Sequence, residues 1–186
     1  MERISIVVSV YNEEKVLPVF YQEIKKVLDE CQVDYEIIFV NDGSEDESIT
    51  ILKGLVKTDN RVEVLDFSRN FGHEAAMIAG IDYSDSDGVI CMDADLQHPP
   101  ECIPEILSRF REGYEIVSMV RTKNQDAGLI KRVTSKLFYK FLNAMSPVKF
   151  ENNASDFFAI SANVVEVLQQ EYREKVRFLR GYVQSI

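Results

Sequence analysis

The sequence predicts an α/β fold with a mostly parallel, Rossmann-like sheet and helices on both faces. Two observations lead to this prediction. Apolar runs of strand length alternate with amphipathic helical patterns over the first 120 residues, which is typical of parallel strands joined by helical crossovers. Several runs are apolar throughout, as expected for strands covered on both faces. The 186 residues can bury a full core, so we expect a single domain over residues 1–186.

The first five strands and four helices follow from this alternation. The predicted strands are Ile4–Val10, Ile37–Val40, Val62–Phe67, Val89–Met92 and Ile116–Val120. The predicted helices are Glu13–Cys31, Glu45–Lys57, His73–Tyr83 and Ile103–Arg111. Asn12 is the predicted N-cap of the first helix, and Ser44 with Glu47 has the spacing of a capping box that opens the second.

The pattern changes after Val120. An amphipathic helix is predicted over Leu129–Met145, then a short strand at Phe157–Ile160 and helices at Ala162–Gln170 and Arg173–Val183. Residues 121–149 carry seven basic side chains against one acid, about +6, in a chain of net charge −10. One face of the first of these helices is basic through Arg132, Lys136 and Lys140. By default this face is solvated, and the alternative is weak, salt-sensitive attachment to an anionic membrane surface.

Composition excludes several classes of protein. A net charge of −10 argues against a nucleic-acid partner, since few charges could neutralise phosphates. No run approaches the ~20 apolar residues that cross a bilayer, and the start MERISIVV lacks the features of a signal peptide. The three cysteines show neither metal-ligand nor redox spacing. We therefore expect reduced thiols and a cytoplasmic location.

Polar residues follow every predicted strand, at the edge where ligands bind in such sheets. The fourth strand ends directly in Asp93 and Asp95. Asp-X-Asp alone is common by chance, and a solvated loop is its ordinary reading. With Asp42 on the adjacent strand end, however, gathered carboxylates would repel each other unless a cation lay among them. Carboxylate oxygens suit Mg²⁺ or Mn²⁺, with substrate phosphates completing the shell.

Four strings then show a resemblance to a known family. VVSVYNEE (7–14), VNDGSEDES (40–48), RNFGHEAAMIAGID (69–82) and MDADLQHPPE (92–101) resemble the inverting family 2 glycosyltransferases of the GT-A fold. The last two are most similar to the polyprenyl-phosphate branch, which includes dolichol-phosphate mannose synthases and bactoprenol glucosyltransferases. The resemblance covers about residues 3–183.

The resemblance implies roles for the matching positions. It places Tyr11, Glu13 and Asp42 around the nucleoside and Gly72 where the nucleotide approaches the backbone. It makes Asp93 and Asp95 the ligands of a divalent cation, Mg²⁺ or Mn²⁺, on the donor diphosphate. The remaining contacts are Gln97, near the sugar or the acceptor phosphate, and Arg121, at a phosphate.

Asp156 matches the family's Asp in an Asp-Phe-Arg stretch and is the candidate catalytic base. It could equally orient a cation near the acceptor, or be an ordinary capping residue. The chain departs from the pattern at Phe158, where the family usually has Arg, and at Ser9, where Pro is common. His98 is expected to be a capping residue or a neighbour that supports the metal ligands, rather than a ligand itself. His73 is expected to hydrogen-bond locally.

The leading hypothesis is a metal-dependent, inverting transfer of a sugar from a UDP- or GDP-sugar to a polyprenyl phosphate. One alternative is extension of a saccharide at a hydroxyl, where Asp156 must be a true base. Another is a nucleotide-sugar-binding subunit without turnover. Members of this branch usually continue into membrane segments, so we expect the chain to be truncated before them and the full protein to act at the cytoplasmic membrane face.

Overall fold

The computed structural model describes residues 3–120 and 154–172, together with Leu179 and Val183. Its strands are β1 (Arg3–Val10), β2 (Asp34–Asn41), β3 (Val62–Asp66), β4 (Gly88–Asp93), β5 (Ile116–Val120) and β6 (Ala154–Ser161). Its helices are α1 (Leu17–Glu30), α2 (Ser48–Thr58), α3 (His73–Tyr83), the short 3-10 helix Pro100–Cys102, α4 (Ile103–Arg111) and α5 (Ala162–Glu171). The predicted helix Leu129–Met145 and most of Arg173–Val183 lie outside the described residues.

The six strands form one sheet in the order β3-β2-β1-β4-β6-β5. β1 pairs in parallel with β2 and β4, and β2 pairs in parallel with β3. β6 runs antiparallel between β4 and β5. The predicted α/β fold with a mostly parallel sheet is confirmed, and the short strand predicted at Phe157–Ile160 is the core of β6. Because β6 is reversed, its first residues lie at the edge where the parallel strands end.

Helices cover both faces of the sheet, as predicted. On one face α1, α2 and α4 pack on alternate strand residues, among them Ile6, Phe39 and Phe157. On the other face α3 and α5 cover the intervening residues, among them Val7 and Phe158. The strands contribute to both cores, which is the physical reason that their sequences are apolar without alternation.

Both predicted helix caps are wrong. α1 begins at Leu17, with Pro18 in its first turn and no side-chain cap, rather than after Asn12. Asn12 adopts a left-handed backbone conformation (φ 56°), and its side-chain oxygen accepts a hydrogen bond from the backbone N–H of Glu45. The Ser44 hydroxyl accepts from the N–H of Asn12 instead of capping α2. These polar side chains join two loops, an alternative that competes with capping for Asn and Ser.

An ion-pair network lies at the opposite edge of the sheet, where β3 begins. The Arg61 guanidinium contacts Asp29 Oδ1 at 2.9 Å and Asp59 Oδ1 at 3.1 Å. The hydrogen bond from the Tyr35 hydroxyl, followed by that from Lys25, lowers the pKa of Asp29 to about 2. The Arg61 hydrogen bond similarly holds the pKa of Asp59 well below its usual range. The folded state therefore favours both carboxylates in their charged form.

Among the helices in the described part of the chain, none combines the length and the apolar character needed to cross a bilayer.

Candidate active site

The candidate site lies at the edge where β1, β2, β3 and β4 end and β6 begins. In the β1–β4 register Ser9 is the partner of Asp93. The β4–β6 pairing runs from Gly88–Ser161 to Cys91–Phe158. Asp93 follows Cys91 by two residues and Asp156 precedes Phe158 by two, so both lie just beyond the paired residues at this edge. Because side chains alternate along a strand, Asp93 and Asp156 share the sheet face of Cys91 and Phe158, the face that α3 covers.

Three groups hold Asp93 in place. The Ser9 hydroxyl donates to Asp93 Oδ1 at 2.9 Å, and Nδ1 of His73 lies 2.9 Å from Ser9 Oγ and 3.3 Å from Asp93 Oδ1. The backbone N–H of Asp93 donates to Nδ1 of His98 at 3.0 Å. The expectation that His73 makes only local hydrogen bonds is wrong, since its partners belong to β1 and β4.

His98 is a buried structural residue with a defined protonation pattern. Its side chain is 3% exposed, and its ring stacks on that of Phe157, with centroids 5.3 Å apart. Because Nδ1 accepts the N–H of Asp93, it carries no proton of its own. The 3.7 Å approach of this nitrogen to Asp93 Oδ2 is therefore not an ion pair. His98 fastens the turn after β4 onto β6, beside the strand position of Asp156, in agreement with its expected supporting role.

The carboxylates of Glu13, Asp93 and Asp95 interact electrostatically. Burial raises the pKa of Glu13 first, and the negative charges of Asp95, Asp46 and Asp93 raise it further. Asp95 also accepts the backbone N–H of Gln97 at 2.9 Å, which closes a tight turn. Such convergence of negative charge on a half-buried acid indicates a position where a cation would be stabilised.

A cation at this edge would need ligands from a substrate. Within residues 3–120 and 154–172, no three Asp, Glu, His or Cys side chains are arranged so that they could hold a metal ion by themselves. Two carboxylates are nevertheless a usual protein contribution to a Mg²⁺ or Mn²⁺ site that substrate phosphates complete. The donor chemistry of Asp93 and Asp95 thus fits such an ion.

Asp42 anchors the loop after β3. Its side chain is buried, and its two oxygens accept the backbone N–H groups of Phe71 (2.7 Å) and Gly72 (2.9 Å). Gly72 has φ 99°, a conformation that L side chains rarely adopt, with open space beside its Cα. Asp42 lies at the predicted edge, but its charge is directed at this loop. Any contact with a nucleoside would use the remaining lone pairs of the same oxygens.

The loop after β2 is tightly packed against the loop after β3. A Cβ on Gly43 would lie only 2.3 Å from the carbonyl carbon of Arg69. Arg69 places its guanidinium 3.9 Å from the ring centroid of Phe71, and Phe71 packs edge-to-face on Phe67 at 5.5 Å. The half-exposed Phe71 ring thus contacts Arg69 and Phe67 at the site edge.

The loops after β1 and β2 are joined by hydrogen bonds beyond those of Asn12. The N–H of Glu13 donates to Ser48 Oγ at 2.9 Å, and the N–H of Glu14 donates to Asp46 Oδ2 at 3.1 Å. In return, the N–H of Glu47 donates to Glu14 Oε2 at 3.1 Å. These contacts fix the backbone that carries Glu13 and leave the neighbouring Tyr11 side chain 45% exposed.

The other predicted site residues are placed as follows. Gln97 is exposed in the turn after β4, and Asp156 is half-buried near the start of β6. Phe158 is 4% exposed in the core beneath α3 and α5, so this position contributes packing rather than a phosphate contact. Arg121 lies outside the described residues. Of the predicted residues, Tyr11, Glu13, Asp42, Gly72, Asp93, Asp95, Gln97 and Asp156 all belong to the same edge of the sheet.

Sequence reasoning gave no site role to Ser9 and His73. The alternation of side chains along β1 could have identified Ser9 as a candidate site residue. It is a polar residue on the same sheet face as Val7, two residues further along an apolar strand. The contact with His73 has no signal in the sequence, because 64 residues separate the two side chains.

The architecture, a six-stranded mixed sheet with helices on both faces, is that of the GT-A fold. One similar solved structure is that of the glucosyl-3-phosphoglycerate synthase of Mycobacterium tuberculosis, in complex with Mn²⁺, UDP-glucose and phosphoglyceric acid. It superposes with a TM-score of 0.60 at 20% identity, over 88% of this chain and 57% of that protein. At this identity the likeness shows the fold.

The chain belongs to glycosyl transferase family 2, whose model matches residues 5–169. It is 44% identical over 179 residues to an uncharacterized glycosyltransferase, YkcC, of Bacillus subtilis (strain 168). It is 39% identical over 179 residues to a bactoprenol glucosyl transferase of Shigella phage SfV. Each match covers 96% of this chain, and 55% and 58% of the respective relatives. The chain thus spans little more than half the length of these curated relatives.

Proposed function

We propose that this chain is the catalytic domain of an enzyme that transfers a sugar, with inversion, from a nucleotide-diphosphate sugar to a polyprenyl phosphate. The observation that carries the proposal is the acidic edge formed by Glu13, Asp93 and Asp95. This edge occurs in a chain 39% identical to a bactoprenol glucosyl transferase over nearly its whole length. UDP- and GDP-sugars are both candidate donors.

The reaction depends on a divalent cation in this proposal. Asp93 and Asp95 would hold Mg²⁺ or Mn²⁺ on the donor diphosphate, and the ion would act as a Lewis acid for the charge that develops on the departing nucleoside diphosphate. The structural relative from M. tuberculosis binds Mn²⁺ together with UDP-glucose, which supports the same combination here. Glu13 completes the negative environment that favours the cation, while Tyr11 and the loop fixed by Asp42 line the nucleoside side.

The acceptor phosphate brings its own nucleophile. The second pKa of a phosphate monoester is about 6, so one of its oxygens is ionised at neutral pH. This oxygen attacks the anomeric carbon as the bond to the nucleoside diphosphate breaks, and no proton has to be removed. Asp156, near the start of β6 at the same edge, then orients the reactants or a cation. It would act as a base only if the acceptor were a hydroxyl.

The proposed metal role is tested by Asp95→Asn, which removes one negative charge at nearly constant volume. Transfer from radiolabelled UDP- and GDP-sugars to undecaprenyl phosphate is measured with Mn²⁺, with Mg²⁺ and with EDTA. We expect activity in the parent chain that EDTA abolishes, and a loss of about 100-fold or more in the variant, corresponding to roughly 2.7 kcal/mol of transition-state stabilisation. Asp85→Asn, at an exposed site outside the edge, is the matched control and should retain full activity.

The outcomes separate the hypotheses. Metal-stimulated activity that survives Asp95→Asn would remove Asp95 from the metal site. Transfer to a saccharide hydroxyl but not to undecaprenyl phosphate, with a pH–rate profile that Asp156→Asn abolishes, would support the saccharide-extending alternative. Nucleotide-sugar binding without transfer to either acceptor would support a binding subunit.

A further inference from the structure

Ser9 interrupts the apolar sequence of β1 immediately before the strand ends. It is half-buried and shares a sheet face with Val7, beneath α3. From the neighbouring strand Asp93 stands opposite it, and His73, the first residue of α3, approaches from above. Three elements of the fold therefore converge on the Ser9 hydroxyl.

The direction of the hydrogen bonds follows from counting protons. An ionised carboxylate only accepts, so the single hydroxyl proton of Ser9 is used at Asp93 Oδ1, 2.9 Å away. The Ser9 oxygen must then accept from His73, which places a proton on His73 Nδ1 at 2.9 Å. The same nitrogen, His73 Nδ1, lies 3.3 Å from Asp93 Oδ1. The result is a short relay, His73 to Ser9 to Asp93, that ends on one carboxylate oxygen.

The two carboxylates of the acidic edge are supported differently. Asp93 is held through Oδ1 by other strands and helices, whereas Asp95 accepts a hydrogen bond from Gln97 within its own turn. Ser9 and His73 approach Asp93 at Oδ1, whereas His98 Nδ1, which carries no proton to donate, lies 3.7 Å from Oδ2.

We infer that Ser9 and His73 are positioning residues that fix the Asp93 carboxylate so that Oδ2 is presented to the divalent cation of the donor complex. The inference rests on the proposed metal-dependent function and extends it to two residues that do not touch the ion. Hydrogen-bond partners that orient ligating carboxylates are worth about 10–100-fold in metal affinity or activity. Asp93 is thereby the preorganised ligand of the pair.

The test measures metal binding without turnover. Binding of Mn²⁺ to the 186-residue chain is followed by the electron paramagnetic resonance signal of free Mn²⁺, with UDP or GDP present and nucleotide-only samples subtracted. Ser9→Ala removes the hydroxyl, Ser9→Thr keeps it, and Ser5→Ala makes the same change on the same strand and face at a buried site away from the edge. His73→Ala removes the donor, while His73→Asn restores an N–H donor near the position of Nδ1.

We expect Ser9→Ala and His73→Ala each to raise the dissociation constant of Mn²⁺ about 10-fold. Ser9→Thr and His73→Asn should remain within about 3-fold of the parent chain, and Ser5→Ala should lower only the free energy of unfolding. A purely structural role predicts equal effects of Ser9→Ala and Ser5→Ala on Mn²⁺ affinity, and that result would overturn the inference.

Failure of the proposed metal dependence and failure of the positioning role give different results. If the parent chain binds no Mn²⁺ with either nucleotide, the proposed metal dependence fails and the inference fails with it. If the parent chain binds Mn²⁺ and Ser9→Ala binds it equally well, the proposed function stands and only the positioning role is lost.

Discussion

Replacement of Asp42 by asparagine tests how the loop after β3 is held at the site. The carboxylate accepts two backbone N–H groups, from Phe71 at 2.7 Å and Gly72 at 2.9 Å, with its side chain buried. Asparagine has nearly the same volume, but one of its two polar atoms is a donor. One of the two backbone N–H groups must then face another N–H and lose its acceptor.

The magnitude follows from these contacts. A hydrogen bond to a charged group contributes about 1.5–3 kcal/mol, and a buried donor left without an acceptor costs about 1–3 kcal/mol. Since the two figures describe overlapping parts of one loss, we expect Asp42→Asn to lower the free energy of unfolding by about 2–4 kcal/mol. In a domain of this size each kcal/mol lowers the Tm by roughly 2–4 °C, so the expected change is about 4–16 °C.

Urea unfolding followed by circular dichroism gives the stability, and calorimetric titration with UDP and GDP gives the nucleotide affinity. Asp85→Asn is the control, and its unfolding free energy should stay within about 0.5 kcal/mol of the parent value. We expect Asp42→Asn to weaken nucleotide binding as well, because the loop carrying Phe71 and Gly72 loses its anchor. An unfolding free energy equal to that of the parent chain would refute the idea that Asp42 anchors the loop after β3. If nucleotide binding is weakened while the unfolding free energy is unchanged, Asp42 contacts the ligand directly instead.

Two further predictions concern stability. Because the folded-state pKa values of Asp29 and Asp59 are lowered, both carboxylates stabilise the fold fully above the ordinary pKa of 3.8. The contribution of Asp29 is lost as pH falls through about 2, and that of Asp59 at lower pH still. Urea unfolding between about pH 5 and pH 2 should show stability falling with pH, and Arg61→Gln should make this dependence on pH less steep. Gly43→Ala should lower the free energy of unfolding by roughly 2–5 kcal/mol, from the left-handed backbone (φ 66°) and the 2.3 Å contact with the neighbouring loop. Gly54→Ala, with open space around an exposed helical glycine, is the matched control and should be stabilising by about 0.5–1 kcal/mol; a loss equal to that of Gly43→Ala would contradict the argument.

The alternation of apolar runs and helical stripes was enough to predict the layers of this fold. Val89–Met92 could be predicted to be a strand buried on both faces, because such a strand has no solvent-exposed side and needs no polar residues at alternate positions. The same logic placed Asp93 and Asp95 at the ligand edge, since the carboxyl ends of parallel strands meet there. Family 2 membership also followed from the order of four local strings, and the family model confirms it over residues 5–169.

Hydrogen-bond partners could not be predicted in the same way. Asn12 and Ser44 have the composition of helix caps, yet their side chains join the loops after β1 and β2. The oxygen of a short Asn or Ser side chain can accept a hydrogen bond either from a helix N-terminus or from the backbone of a neighbouring loop. Which of the two forms depends on which backbone N–H the packed loops bring within reach. Local sequence carries no information about that distance.

The chain by itself thus determined the order of its elements and the strand ends at which acids would gather. The tertiary structure decided what holds those acids. β6 enters the sheet in reverse, so that Asp156, near its first residue, lies at the edge. α3 lays His73 over Ser9 and Asp93, residues 64 and 20 positions away in the chain. The reason is physical: hydrophobic periodicity reports only which face of a segment is buried, whereas hydrogen bonds require donor and acceptor within about 3 Å, a distance that exists only after the strands and helices have packed.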